Sequence, residues 1–442
     1  MCSPRMAPPS AVTRWLDRAS APVFTAYVVV AAFSTYFCMY AFRKPFAVGT
    51  YEGEVAVPLL GALSLKSLYV IAQVLGYAAS KFLGIKVVSE MHAGRRAVAI
   101  VGLVGASEVA LVLFAVVPAP WAAVCLVLNG LPLGMIWGLV FGFIEGRRTS
   151  DLLGAGLCGA FIVASGFVKT VGKWLMDLGV SEVWMPAATG ALFFGPLLLF
   201  VVMLAQVPPP TAADEAARTK RAPMDGAARR RFFAAYAPGL VALVGLYILL
   251  TAYRDFRDNF ARELWDALGY ADTPSVLTTA EVPVAFGALV AVALVMAVRD
   301  NRRALMVVHG LMFAAAALLG ISTALFALGV LDPALWMIAV GLGLYVGYVP
   351  FNCVLFDRLI AAVGSVATAG FLIYVADAFG YLGSVGLLLY RDFAQPNLSW
   401  IDFFLGFSYV TAIVCGALYL FSAGYFWKRT QPHVHDGASG QS

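Results

Sequence analysis

Pro208-Pro209-Pro210-Thr211-Ala212-Ala213-Asp214-Glu215-Ala216-Ala217-Arg218-Thr219-Lys220-Arg221-Ala222-Pro223-Met224-Asp225-Gly226-Ala227-Ala228-Arg229-Arg230-Arg231 differs in kind from everything around it. Three consecutive prolines, three acids and clustered arginines leave no apolar face, so the stretch reads as a polar linker. On its N-terminal side lie six apolar runs near 22–46, 65–87, 97–117, 121–144, 153–176 and 186–207. Six more lie beyond it, near 236–256, 278–298, 304–329, 333–356, 360–390 and 402–427. Each is about the length a helix needs to cross a bilayer. The expectation is an all-α membrane protein of twelve transmembrane helices in two six-helix bundles, residues 22–207 and 236–427. Residues 1–21, the linker 208–235 and a polar tail 428–442 would be extramembrane.

Composition excludes the soluble classes. Of 442 residues, 61% are hydrophobic and 12% charged, against roughly a quarter charged in ordinary soluble domains. The runs do not alternate apolar with polar, which argues against a membrane barrel. The net charge of +5 is no nucleic-acid signal, because the basic residues recur in short loops and form no stripe. Cys38, Cys125, Cys158, Cys353 and Cys415 fall inside apolar runs and read as packing residues. Neither zinc-ligand spacing nor a triad arrangement appears, and no strand precedes the glycines, so no metal, cofactor or ATP is expected.

Lys and Arg set the orientation. Placing both termini in the cytoplasm puts these residues inside: Arg5, Arg14 and Arg18; Lys86, Arg95 and Arg96; Arg147 and Arg148; Arg218, Lys220, Arg221, Arg229, Arg230 and Arg231; Arg299, Arg302 and Arg303; Arg358; Lys428 and Arg429. They make up 20 of the 30 basic residues, as the positive-inside rule requires.

Ionisable groups within spans carry the functional signal, because each costs roughly 2.5–3.5 kcal/mol at a helix centre. Tyr36, Tyr40 and Arg43 share one face of the first span at i, i+4 and i+7; Tyr247, Thr251 and Arg254 repeat the spacing in the seventh. Two guanidiniums facing one cavity from opposite bundles would suit a phosphate or carboxylate. The plain alternative is that both arginines snorkel to the outer interface or pair with Asp255 and Asp258. Glu108 and Asp377 would carry protons or balance a lysine. Gln73 and Asn352 read as interhelical bonds, His309 as an interfacial residue, and Gly130, Gly134, Gly341, Gly343 and Gly347 as sites of close packing.

Several segments point to a family. Tyr40-Ala41-Phe42-Arg43-Lys44-Pro45-Phe46 resembles the first-helix signature of the major facilitator superfamily's organophosphate:phosphate antiporters. Ser80-Lys81-Phe82 with Gly84 is similar to their second helix. Ser89-Glu90-Met91-His92-Ala93-Gly94-Arg95-Arg96 resembles the superfamily's cytoplasmic loop, with Arg299-Asp300-Asn301-Arg302-Arg303 a worn counterpart. Ala369-Gly370-Phe371 and Gly380-Tyr381-Leu382-Gly383-Ser384 resemble the eleventh helix. The chain is also similar to a bacterial family of unknown function.

The resemblance implies a substrate site of Arg43, Arg254 and Lys81, to which the helix-face spacing adds Tyr36, Tyr40 and Tyr247. It implies that Lys44 forms a gating ion pair with Asp258 or Glu281. The family's fifth-helix histidine is missing; Lys169, with Lys173 one turn on, stands in that span, so glycerol 3-phosphate is not assumed. The implied molecule is a monomeric secondary carrier of a small organic anion, a phosphorylated metabolite, exchanged for inorganic phosphate by alternating access in a bacterial inner membrane. Alternatives are a membrane sensor built on the same fold, a proton-coupled carrier of another solute, and a membrane enzyme using Arg257, Asp258, Arg262 and Glu263.

Overall fold

The structure, a computed structural model, describes residues 10–58, 61–89, 91–144, 150–210, 226–364 and 369–430. Arg147, Arg148, the tail beyond 430 and residues 211–225 of the expected linker lie outside them.

A short helix α1 (Ala11–Arg18), capped by Ser10, precedes the first span and leans on the end of the sixth, where Thr13 Oγ1 donates to the Gln206 carbonyl at 3.0 Å. The first half then runs α2 (Ala21–Met39), α3 (Leu65–Ser89), α4 (Arg96–Val116), α5 (Ala122–Leu133) continued by α6 (Ile136–Ile144), α7 (Ser150–Asp177) and α8 (Met185–Ala205). The second half opens with α9 (Gly226–Asn259), then short α10 (Ala261–Ala267) and α11 (Val276–Thr279). Next come α12 (Glu281–Met296), α13 (Asn301–Ala327), α14 (Pro333–Cys353) continued by α15 (Leu355–Val363), α16 (Ala369–Ala394) and α17 (Trp400–Arg429).

Among the described residues there are twelve membrane-length segments. Ten are apolar enough to cross a bilayer by length and composition. The other two, α3 and α16, have 25 and 26 residues and pack against each other across the halves. Their polar groups, Lys66, Gln73 and Lys81 on one and Asp377 and Asp392 on the other, thereby face protein and not lipid. Val109, Leu199, Phe286, Leu294 and Ile413 are more than half exposed on the perimeter, as a lipid-facing surface requires.

The halves repeat one packing scheme. In the first, α3 packs on α5, α4 on α5, α2 on α7, α2 on α8, and α4 on α8. The corresponding pairs of the second are α12 on α14, α13 on α14, α9 on α16, α9 on α17, and α13 on α17. The junction obeys the same symmetry: α3 meets α16, and α7 meets α12. Close approach needs missing side chains at several places, Gly130 and Gly166 among them. A Cβ on Gly130 would meet the Gln73 carbonyl of α3, and one on Gly166 would meet the Leu277 carbonyl of the other half.

Local chemistry explains the breaks. Pro132 and Pro350 each lack a donor and end their helices within a few residues, so the fourth and tenth spans are each two pieces. Asp332 caps α14 with Pro333 at its first position, and Asp300 caps α13 through the Arg303 amide at 2.7 Å.

Two expectations need correction, and one element has no counterpart in the sequence reading. The run at 360–390 is not one span, because 360–363 complete α15 and α16 begins at Ala369. Helix α9 starts at Gly226, ten residues inside the expected linker; alanines and arginines sustain it up to a kink at Tyr236, before Pro238. The loop after the first span holds a β-hairpin, β1 (Glu54–Val57) with β2 (Gly61–Ser64), in a chain that is otherwise helical among the described residues.

Candidate functional site

Helix α2 does not run on to Arg43. It tightens into a 3-10 turn at Tyr40–Phe42, with a second at Pro45–Val48. The break frees carbonyl groups that the bundle interior must satisfy. Asn129 Nδ2 donates to the Phe42 oxygen at 2.9 Å, Gln73 Nε2 to the Arg43 oxygen at 2.8 Å, and Gln73 to Asn129 Oδ1 at 2.9 Å. Arg43 is therefore held by its backbone while its side chain points to the junction.

That side chain is 5% exposed, and its guanidinium lies 3.6 Å from the centroid of the Tyr77 ring. Among the described residues no carboxylate pairs with it, and its Nε has no hydrogen-bond partner. A cation over an aromatic face gains about 2 kcal/mol when desolvated, which does not offset burying a full charge. Tyr36 and Tyr40 meet edge to face at 5.5 Å beside it.

Arg254 reaches the same region from the second half in a different state. Its Nε and Nη2 bind Asp255 Oδ1 at 3.0 and 2.7 Å, and its Nη1 donates to the Tyr348 hydroxyl. Ser384 fixes the other Asp255 oxygen at 2.8 Å. The expected pairing of an arginine with Asp255 thus holds for Arg254 and not for Arg43. Tyr247 lies 2.8 Å from Tyr348 and donates to Asp377. Tyr77 and Tyr381, 5.4 Å apart, close the junction between the arginines. Lys81 Nζ is 3.5 Å from Asp377 Oδ2, across the halves.

Towards the end opposite the linker the halves are tied together. Asp258 accepts Lys44 at 2.5 Å, Lys169 at 2.5 Å and Ser165 at 2.5 Å, and Lys44 also reaches Asn259 Oδ1 at 3.0 Å. Two lysines on one carboxylate leave a surplus positive charge. Lys66 pairs with Glu263, Arg262 donates to the Val48 carbonyl at 2.7 Å, and Ser64 Oγ donates to Asp392 at 3.0 Å.

The remaining expectations fare unevenly. Glu281 is not a partner of Lys44; it binds Arg257 Nη1 at 2.7 Å, within the second half. Lys169 is engaged by Asp258 and does not stand free beside the arginines. Lys173 lies apart from the site, paired with Asp177 at 3.0 Å. Glu108 lies inside the first bundle against Gly190, away from the junction, with one oxygen unpartnered. His309 is not interfacial: it is buried between the Leu305 carbonyl, 2.8 Å away, and Ser422, 3.0 Å away. Arg257, Asp258, Arg262 and Glu263 form structural contacts and no pair of acids around a common centre. Sequence reasoning does not single out Tyr77, Tyr348 or Lys66. Tyr77 is one turn before Lys81, a spacing that places it on the same face.

Comparison with solved structures places the fold. The chain is similar to the crystal structure of a D-xylose-proton symporter, with TM-score 0.57 and 16% identity over 93% of this chain and 98% of that one. It is similar to the nucleoside transporter NupG, with TM-score 0.56 and 16% identity over 90% and 98%. A bacterial homologue of the human drug peptide transporters PepT1 and PepT2 gives TM-score 0.60 and 13% identity over 93% and 100%. The fold is that of major facilitator transporters. No curated protein matches the chain. A family model matches residues 45–429, and the chain belongs to that family, described as "Family of unknown function (DUF5690)".

Proposed function

We propose that the protein is a secondary carrier of a small organic anion, with a phosphorylated metabolite as cargo and inorganic phosphate as its exchange partner. The observation that carries this reading is Arg43, a buried guanidinium with no carboxylate partner among the described residues, in a site that an anion would neutralise. Arg254 stands at the matching place in the second half, and Lys81 and the tyrosine hydroxyls supply further donors. The twofold scheme of helix packing suits two bundles rocking about a central site. In this reading the ties around Asp258 close one end, and the linker end, taken as cytoplasmic in a bacterial inner membrane, is where the cargo is released.

Purified protein screened by thermal shift against inorganic phosphate, sugar phosphates and carboxylates tests the cargo class. Binding to the folded state raises apparent stability by about 2.7 kcal/mol at a hundred times the dissociation constant. Phosphate compounds should raise the transition and uncharged sugars should not. A rise with uncharged sugars alone would refute the anion reading.

A further inference from the structure

Three helix ends of the second half meet on the linker side: the start of α9, the start of α13 and the end of α17. Helix α17 packs on both of the others, and the Tyr425 hydroxyl donates to the Ala235 carbonyl at 3.4 Å. Arg230 and Arg231 come from α9, Arg302 and Arg303 from α13, and Lys428 and Arg429 from α17. None of the six pairs with a carboxylate among the described residues. At the opposite end, by contrast, Lys44, Lys66 and Lys169 each have an acid. Five of the six are exposed, as solvated bases would be; Arg302 is not. Its guanidinium lies 4.0 Å from the centroid of the Trp427 ring. Its one hydrogen bond among the described residues is a 3.5 Å contact to the Trp427 carbonyl, and its Nε is buried without a partner. Stacking on the indole fixes the guanidinium and leaves much of its planar fork unfilled, an arrangement that receives the oxygens of a phosphate.

Apolar surface adjoins these charges. Val307 and Phe313 on α13, and Leu420, Phe421 and Trp427 on α17, are exposed on helices long and apolar enough to cross a bilayer. A soluble phosphate would use the bases alone, whereas a phospholipid uses both the bases and the apolar faces. We propose that this corner binds an anionic phospholipid of the leaflet on the linker side. Arg302 holds the phosphate, Arg303, Lys428 and Arg429 add attraction, and Trp427 lies at the level of the headgroup. The acyl chains lie along the apolar residues of α13 and α17. A zwitterionic headgroup would bring its own cation to six already present, so a net negative one is favoured. Filling the site neutralises like charges on three packed helix ends and thereby holds the start of α9 against α17. None of these residues belongs to the site around Arg43 and Arg254, so the proposal does not depend on the cargo.

The test uses the full chain in bilayer nanodiscs and reads the fluorescence of Trp427, taken as the difference between wild type and Trp427→Phe. Lipids brominated on their acyl chains quench a nearby indole. In an equal mixture of phosphatidylglycerol and phosphatidylcholine, bromine on phosphatidylglycerol should quench Trp427 several-fold more than bromine on phosphatidylcholine. Arg302→Gln should abolish that preference. Lys428→Gln combined with Arg429→Gln, at exposed positions, should reduce it. Equal quenching by the two lipids overturns the proposal, and so does a preference that Arg302→Gln leaves unchanged. Should Arg302→Gln fail to fold, the double variant decides, and an unchanged preference there overturns it. Inorganic phosphate, compared with chloride at matched ionic strength, should not compete. A preference erased by phosphate would mark a site for the free anion and overturn the lipid proposal.

Discussion

Lys169 and Asp258 sit on opposite halves with Nζ 2.5 Å from Oδ1, and the other oxygen of that carboxylate is 2.5 Å from Lys44. One acid therefore holds two bases at the closed end. This alters what a charge swap would do. Exchanging Lys44 and Asp258 would set a lysine at 258 against Lys169, so the double reversal should stay inactive. Adding Lys169→Gln should restore part of the transport, measured as uptake in liposomes. Recovery in the double reversal alone would mean that Lys169 contributes nothing to closure.

Removing that acid should loosen the same end. Breaking a buried pair from one side costs roughly 3–5 kcal/mol, so Asp258→Asn should shift the population away from this conformation. A cysteine at Val48, whose side chain is buried here, should then react with a membrane-impermeant maleimide at least several-fold faster. An unchanged labelling rate would show that the Asp258 cluster does not hold the end shut.

Gly166 tests close packing across the junction. A Cβ there would meet the Leu277 carbonyl across the junction, so Gly166→Val should favour the state in which α7 and α11 are apart. The same cysteine should report the change. Protection equal to wild type would mean that the contact tolerates a side chain.

Gln73 and Asn129 are expected to matter for binding although neither would touch the anion. They satisfy the carbonyls of Arg43 and Phe42 where the first span breaks. Gln73→Leu leaves a buried oxygen unpaired, at about 1–3 kcal/mol. The variant should both melt earlier and show a smaller phosphate-induced thermal shift than wild type. An earlier melt with an undiminished shift would assign Gln73 to stability alone.

The architecture is legible in the sequence because lipid makes a simple demand: a run of about twenty apolar residues has few alternatives to a spanning helix. The prolines at 208–210 mark the division, and i, i+4, i+7 spacing brings out Arg43 and Arg254. Which carboxylate each base selects is not legible. Lys44 has two candidate acids, and the choice of Asp258 over Glu281 depends on how α2 and α9 end in space, which no local pattern encodes. At His309 the sequence misleads, because its neighbour Arg303 suggests a membrane surface, whereas Ser422 of α17 draws the ring into the bundle. The hairpin at 54–64 leaves no clear trace because β1 and β2 are four residues each, too short for alternation to stand out. The linker reads longer than it is because Ala and Arg are good helix formers as well as common linker residues.

The central claim is that Arg43 and Arg254 grip the anion from opposite halves, and conservative replacement tests it most directly. Lysine keeps the charge but loses the planar fork that binds two oxygens at once. The measurement is exchange of labelled inorganic phosphate in liposomes containing wild type, Arg43→Lys or Arg254→Lys, each checked for folding by its melting profile. Losing one charge-assisted contact of about 1.5–3 kcal/mol corresponds to roughly a ten- to hundredfold loss of affinity, so exchange at low phosphate should fall by that factor in each variant. Wild-type exchange in either variant would contradict the account, and would place the anion somewhere other than between the two arginines.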